Sequence, residues 1–166
     1  MPQDTVDASA FSPDVIEFLS LLEHHGVRYL IVGGEAVIYY GYTRLTGDVD
    51  FFYDREPRNA DRLFSALSEF WGGTVPGISN AEELLPEDVI VQFGRPPNRI
   101  DLLSRIDGVS FEDAWTSRKE VKIDGVKRVI SALFIGMDSL IDNKRAVGRP
   151  KDLEDLAYLE KAQRNR

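Results

Sequence analysis

Cysteine is absent from the 166-residue chain. That excludes disulfide scaffolds, thiolate zinc sites and cysteine nucleophiles together. Histidine is scarce: the two present, His24 and His25, are adjacent and too few for a metal site built from several imidazoles. No apolar run approaches the roughly 18 residues a membrane span needs. The first residues, Met1-Pro2-Gln3-Asp4, carry neither the positive region nor the apolar region of a secretion signal. The expectation is a soluble, cytoplasmic protein that does not act at a membrane. No G-x-x-x-x-G-K-[ST] segment occurs, and no G-x-G-x-x-G follows a strand, so P-loop and dinucleotide-binding readings fail.

Positive charge is also in short supply. Lys and Arg number 20 against 28 Asp and Glu, a formal charge of −8. Proteins that hold nucleic acid through nonspecific phosphate contacts are usually basic, so nucleic acid is not the default partner. The balance is uneven. From Met1 to Val27 there is no Lys or Arg, whereas Asn143 to Arg166 holds seven cations against four acids. A local basic surface and a solvated helix with a basic end both fit that pattern. Hydrophobic residues at 43% and charged residues at 29% are ordinary for one globular domain.

Segment 1–11 is small and polar and reads as a flexible terminus, leaving 12–166 as a single domain with no repeat or linker. Ser12-Pro13-Asp14 is a helix start: a capping hydroxyl, proline at the first helical position and an acid in the first turn. An apolar face from Val15 to Leu22 follows, and Gly26 stops it. Tyr29-Leu30-Ile31-Val32 predicts a buried strand, Gly33-Gly34 a tight turn, and Glu35 to Tyr40 a short helix. Asp48 to Tyr53 predicts a second strand. A helix opening at Arg58 or Asn59 runs to Phe70, and 71–87 is mostly loop. Asp88–Phe93 and Arg99–Leu103 predict a strand pair, and Phe111–Arg118 a short helix. Glu120–Ile123 and Val126–Ser131, split by Asp124-Gly125, carry a hairpin signal. Helices over 137–147 and 151–163 close the chain. Strands mixed with helices give an α/β or α+β domain.

Asp48-Val49-Asp50 is the segment that demands an explanation. Residues two apart in a strand point the same way, with Cα atoms about 6.6 Å apart. Two such carboxylates repel, and burying them unpaired is unfavourable. A divalent cation resolves the conflict, since Mg²⁺ takes one or two carboxylates together with substrate phosphates. The alternative is a strand end with both acids in solvent. Gly33-Gly34, just upstream, lets backbone amides approach phosphate oxygens. Asp101, in Ile100-Asp101-Leu102-Leu103, is again an acid in an apolar strand. Three carboxylates on adjacent strands suit two metals roughly 3.5–4 Å apart, an arrangement that clamps attacking and leaving oxygens.

Leu30-Ile31-Val32-Gly33-Gly34, followed after thirteen residues by Asp48-Val49-Asp50-Phe51, resembles the signature of the DNA polymerase β nucleotidyltransferase superfamily. Asp101 matches that signature's third acid. The stretch Gly33-Gly34-Glu35-Ala36-Val37 through Gly41 and Arg44-Leu45-Thr46-Gly47-Asp48 is similar to a small bacterial branch that includes AbiEii-type toxins. So is Lys144 through Gly148-Arg149-Pro150-Lys151-Asp152-Leu153-Glu154-Asp155-Leu156. The likeness spans roughly residues 27–160.

The resemblance implies a nucleotidyltransferase fold with a mixed, mainly antiparallel sheet flanked by helices. It implies transfer of a nucleoside monophosphate from an NTP to a hydroxyl on RNA, tRNA included, or on protein, with Mg²⁺ or Mn²⁺ as cofactor. Asp48, Asp50 and Asp101 are then the catalytic metal ligands, and Gly33, Gly34, Arg44, Thr46 and Lys144 the nucleotide-binding residues. It further implies a toxin–antitoxin or phage-defence setting with a cognate antitoxin or partner protein. Two departures stand out. Many members have serine where Gly34 sits, and Glu35 puts negative charge beside the phosphate site, either facing away or pairing with Arg44. A non-catalytic module that binds nucleotide or metal, or neutralises a partner, is the competing reading.

Overall fold

A computed structural model describes residues 5–165. Seven strands form one sheet in the order β1-β6-β7-β2-β3-β5-β4. They are β1 (Thr5–Asp7), β2 (Tyr29–Val32), β3 (Asp48–Tyr53), β4 (Ile90–Phe93), β5 (Arg99–Leu103), β6 (Lys119–Asp124) and β7 (Ile130–Phe134). Six helices flank the sheet: α1 (Pro13–His24), α2 (Gly33–Tyr39), α3 (Pro57–Phe70), α4 (Phe111–Thr116), α5 (Met137–Val147) and α6 (Pro150–Arg164). The α/β reading stands. The expectation of a mainly antiparallel sheet does not, because the sheet is evenly mixed. Among the described residues β2·β3, β4·β5 and β6·β7 pair antiparallel, while β1·β6, β2·β7 and β3·β5 pair parallel. All three parallel joins are long-range. The β4–β5 hairpin returns beside β3 after α3, and the β6–β7 hairpin docks on the free edge of β2.

Local chemistry explains most element boundaries. The Ser12 hydroxyl accepts from the Val15 amide at 3.2 Å, with Pro13 opening α1. The third helix starts at Pro57, ahead of the expected Arg58 or Asn59, because the Glu56 side chain caps it by accepting from the Asn59 amide. In the second hairpin, Asp124-Gly125 does not make a two-residue turn. Val126–Val129 belongs to the connection, with Val129 68% exposed, and β7 begins at Ile130. Burial decides this register: Val121 and Ile123 face inward on β6, with Ile130, Ala132 and Phe134 on β7. Within 1–11, Thr5–Asp7 pairs with β6, Ala8–Ala10 forms a 3-10 turn and Phe11 is buried. Residues 1–4 lie outside the described residues.

The core lies between the sheet and its helices. All four β2 residues are buried. Phe18 of α1 meets Phe51 edge-on at 5.2 Å and Phe70 of α3 at 5.4 Å. Phe51, Phe52 and Tyr53 are buried, so the last half of β3 is anchored in core. Its first half, carrying Asp48 and Asp50, reaches the rim. No helix among the described residues is long and apolar enough to cross a membrane.

Candidate metal centre

Parallel pairing of β3 with β5 sets Asp50 opposite Asp101 and Asp48 opposite Arg99. Side chains alternate along each strand, so all four project from one face. A carboxylate oxygen from each of Asp48, Asp50 and Asp101 lies within 4.8 Å of the others. The structure therefore brings together the three acids singled out in the sequence. Asp101 is only 5% exposed, and the other two are half-buried. Burial first, then Asp48 and Asp101, push the Asp50 carboxyl up to about 7. Burial also raises Asp101, opposed by its bond to Arg99.

Arg99 was missed. Its Nη2 donates to Asp48 Oδ2 at 2.7 Å and Asp101 Oδ2 at 3.1 Å, and its Nε donates to Asp101 Oδ1 at 2.9 Å. One guanidinium thus bridges two of the three carboxylates. Gln92 of β4 donates to Asp101 Oδ2 at 3.3 Å. The signal for Arg99 was available: Arg99-x-Asp101 shares the two-residue period of Asp48-x-Asp50.

The double glycine sits directly against this cluster. Gly33 opens α2 with φ of +66°, and a Cβ there would land on the Asp50 carboxylate. Only glycine permits both that dihedral and that approach. At Gly34 a Cβ would lie 2.7 Å from Thr46 Oγ1 and 3.0 Å from Arg44 Nη2. The missing side chain at 34 is what lets residues 44–46 close on the helix start. Thr46 Oγ1 in turn donates towards Asp48, 3.2 Å from its carbonyl and 3.3 Å from Oδ1. Glu35 is half-buried. Burial raises its carboxyl to about 7, with Arg44 opposing and Asp48 reinforcing the shift.

Arg44 and Lys144, the two predicted phosphate cations, occupy a neighbouring ionic network. Lys144 Nζ lies 3.1 Å from Asp152 Oδ1 and 2.9 Å from Asp155 Oδ2. Arg44 reaches Asp155 at 3.0 and 3.1 Å, and Arg149 reaches Asp152 at 2.7 Å. Lys144 is 5% exposed and each aspartate 1%. Burial works against ionised Asp152, but Arg149 and Lys144 hold its carboxyl below the ordinary range. Three cations face two carboxylates here, leaving one positive charge in excess. Lys144 acts on Asp50, and Asp50 on Arg149, so the network borders the acidic cluster. Asp152 lies in the first turn of α6, where an acid favours the helix start, and with Asp155 it also anchors this junction.

The donor set fits a hard divalent cation: three converging carboxylates, two of them shifted towards protonation by burial and mutual repulsion. No known protein-family model and no curated protein matches the chain.

Proposed function

We propose that this chain is a Mg²⁺- or Mn²⁺-dependent nucleotidyltransferase with a nucleotidyltransferase fold. In this reading it moves a nucleoside monophosphate from an NTP to a hydroxyl of RNA or protein, within a toxin–antitoxin or phage-defence system. The convergence of Asp48, Asp50 and Asp101 beside Gly33-Gly34 carries the proposal. Asp48 and Asp50 would hold both ions, and Asp101 the ion nearest the acceptor. Bound there, the metals supply charge neutralisation for the α-phosphate and the departing pyrophosphate.

The chain's own residues do the rest by positioning and electrostatics. Gly33 and Gly34 offer backbone amides to the triphosphate with no Cβ in the way. The Thr46 hydroxyl fixes Asp48, and Gln92 fixes Asp101. The Asp101 carboxylate takes the proton of the acceptor hydroxyl as its oxygen bonds the α-phosphorus. The bond from that phosphorus to the bridging oxygen breaks, and pyrophosphate leaves. Arg99, bonded to Asp48 and Asp101, would compete with the ions for those carboxylates.

Arg99→Ala therefore strengthens Mn²⁺ binding, because a competing cation is gone. It also lowers the melting temperature of the metal-free protein, because Asp48 and Asp101 are left closer to unpaired. Thermal melts with and without Mn²⁺ read both effects. A smaller Mn²⁺-induced rise in the variant than in the wild type would contradict the competition.

The test of the function is incubation of cell lysate with each α-labelled NTP, followed by separation of RNA from protein. Label in either fraction, dependent on added protein and metal, is the expected result. One observation favours a second reading, a module that binds nucleotide without transferring it. Arg44 and Lys144 are already paired with Asp155 and Asp152, and the half-buried Glu35 carboxyl adds negative charge near Asp48. Calorimetric NTP binding with no transfer in any lysate fraction would select that module.

A further inference from the structure

A second group of metal-ligating side chains lies away from the aspartates. His24 ends α1, His25 caps it, and Glu69 sits in the last turn of α3. The two imidazoles are edge-to-face with centroids 5.1 Å apart. His25 Nε2 lies 3.2 Å from Glu69 Oε1. One ligand atom from each of the three residues falls within 4.8 Å of the others. The two histidines alone are too few for a site built from several imidazoles; the third partner, Glu69, lies 44 residues from His25 in the chain.

We propose that His24, His25 and Glu69 bind a late first-row divalent cation of the Zn²⁺ class. Three features of the chemistry support this. Two imidazoles and one carboxylate are a borderline donor set suited to Zn²⁺, with a fourth position open to water. Zinc–ligand bonds of about 2.0–2.1 Å put neighbouring ligands of a tetrahedral ion about 3.3 Å apart, the spacing His25 and Glu69 already have. The carboxy-terminal ends of α1 and α3 meet here, and both helix dipoles present negative charge to a cation. His24 and Glu69 are exposed, so an ion enters from solvent with little rearrangement.

The site stands apart from the aspartate cluster. It precedes β2, whereas Gly33 follows it, and four residues of strand separate them by about 13 Å. It is also chemically distinct, taking a softer ion than the all-oxygen cluster. Its effect is a clamp between two helix ends far apart in the chain. Binding to the folded state alone raises stability with the logarithm of ion concentration once the ion exceeds its Kd.

Zn²⁺ titration by calorimetry and Co²⁺ titration by visible absorption test the proposal on the full chain. His24→Ala and Glu69→Gln are the informative variants. Both side chains are exposed, and glutamine keeps a hydrogen-bonding group near His25 while removing the anionic ligand. The wild type is expected to bind one ion at this site, beyond any held by the aspartate cluster, with a tetrahedral Co²⁺ component in its spectrum and a higher melting temperature in Zn²⁺. Each variant is expected to bind at least about tenfold more weakly, the loss that even an outer-shell partner typically causes. The Asp48→Asn, Asp50→Asn protein is expected to keep the site. Undetectable Zn²⁺ binding by the wild type, or equal affinity in the wild type and both variants, overturns the proposal.

Discussion

Replacing Asp48 and Asp50 together by asparagine abolishes transfer from an α-labelled NTP and, above pH about 7, raises the melting temperature of the metal-free protein. The two halves of that result have one cause. Aligned on one face of β3 and close to Asp101, the carboxylates are useful to a cation and unfavourable without one. Asp50 carries most of the effect, since burial, Asp48 and Asp101 raise its carboxyl from 3.8 to about 7.

The sign follows by linkage. The folded state holds the Asp50 proton more tightly than the unfolded chain does. The contribution of Asp50 to stability is therefore greatest below the unfolded value of 3.8 and is lost as pH rises to about 7. Glu35, raised from 4.5 to about 7, adds to the same loss over the same window. The combined effect is on the order of a few kcal/mol, or several degrees of melting temperature for a chain of this size. In the double asparagine variant the fall between pH about 4 and 7 shrinks to the part owed to Glu35 and Asp101. Urea melts across this range in chelator measure it. If the variant unfolds instead, the two acids serve the fold and the metal centre is wrongly assigned.

Lys144→Met destabilises the protein by about 3 kcal/mol, the lower end of the range for removing one partner of a buried ion pair. Lys144 is the cation shared by Asp152 and Asp155, and all three are almost fully buried. Arg44 and Arg149 remain on the two aspartates, which keeps the loss from being larger. Because Lys144 and Asp152 are in direct contact, Lys144→Met with Asp152→Asn destabilises by less than the sum of the two single changes. Urea unfolding of the three variants closes the cycle. A loss below about 1 kcal/mol for Lys144→Met, the range of an exposed pair, would show that the junction is not buried in solution.

The fold was legible where periodicity was strong. The segment Asp48 to Tyr53 runs as a strand with the bounds its alternation predicts, and Asp101 falls in a strand as its apolar neighbours require. Strand order was not legible. Register between β3 and β5 depends on contacts across fifty residues, and no local pattern states that Asp50 faces Asp101. The β6–β7 turn misled because Asp124-Gly125 has the chemistry of a tight hairpin, whereas burial of Ile130, Ala132 and Phe134 set the register further along.

The site was legible in its acids and not in its cations. Asp48, Asp50 and Asp101 were conspicuous because carboxylates are out of place in apolar strands. Arginine and lysine look like surface residues in any sequence, so Arg99 passed unnoticed and Lys144 was read as a phosphate ligand. Its burial between Asp152 and Asp155 depends on α6 folding back on α5, which helical spacing does not encode.

The claim that three carboxylates share a divalent ion is tested most directly by titrating Mn²⁺ into the wild type and into Asp101→Asn, with bound ion followed by electron paramagnetic resonance. The wild type is predicted to bind Mn²⁺ and the variant to bind it at least about tenfold more weakly, since a direct ligand matters no less than an outer-shell partner. Equal Mn²⁺ affinity in the two proteins would contradict a shared centre.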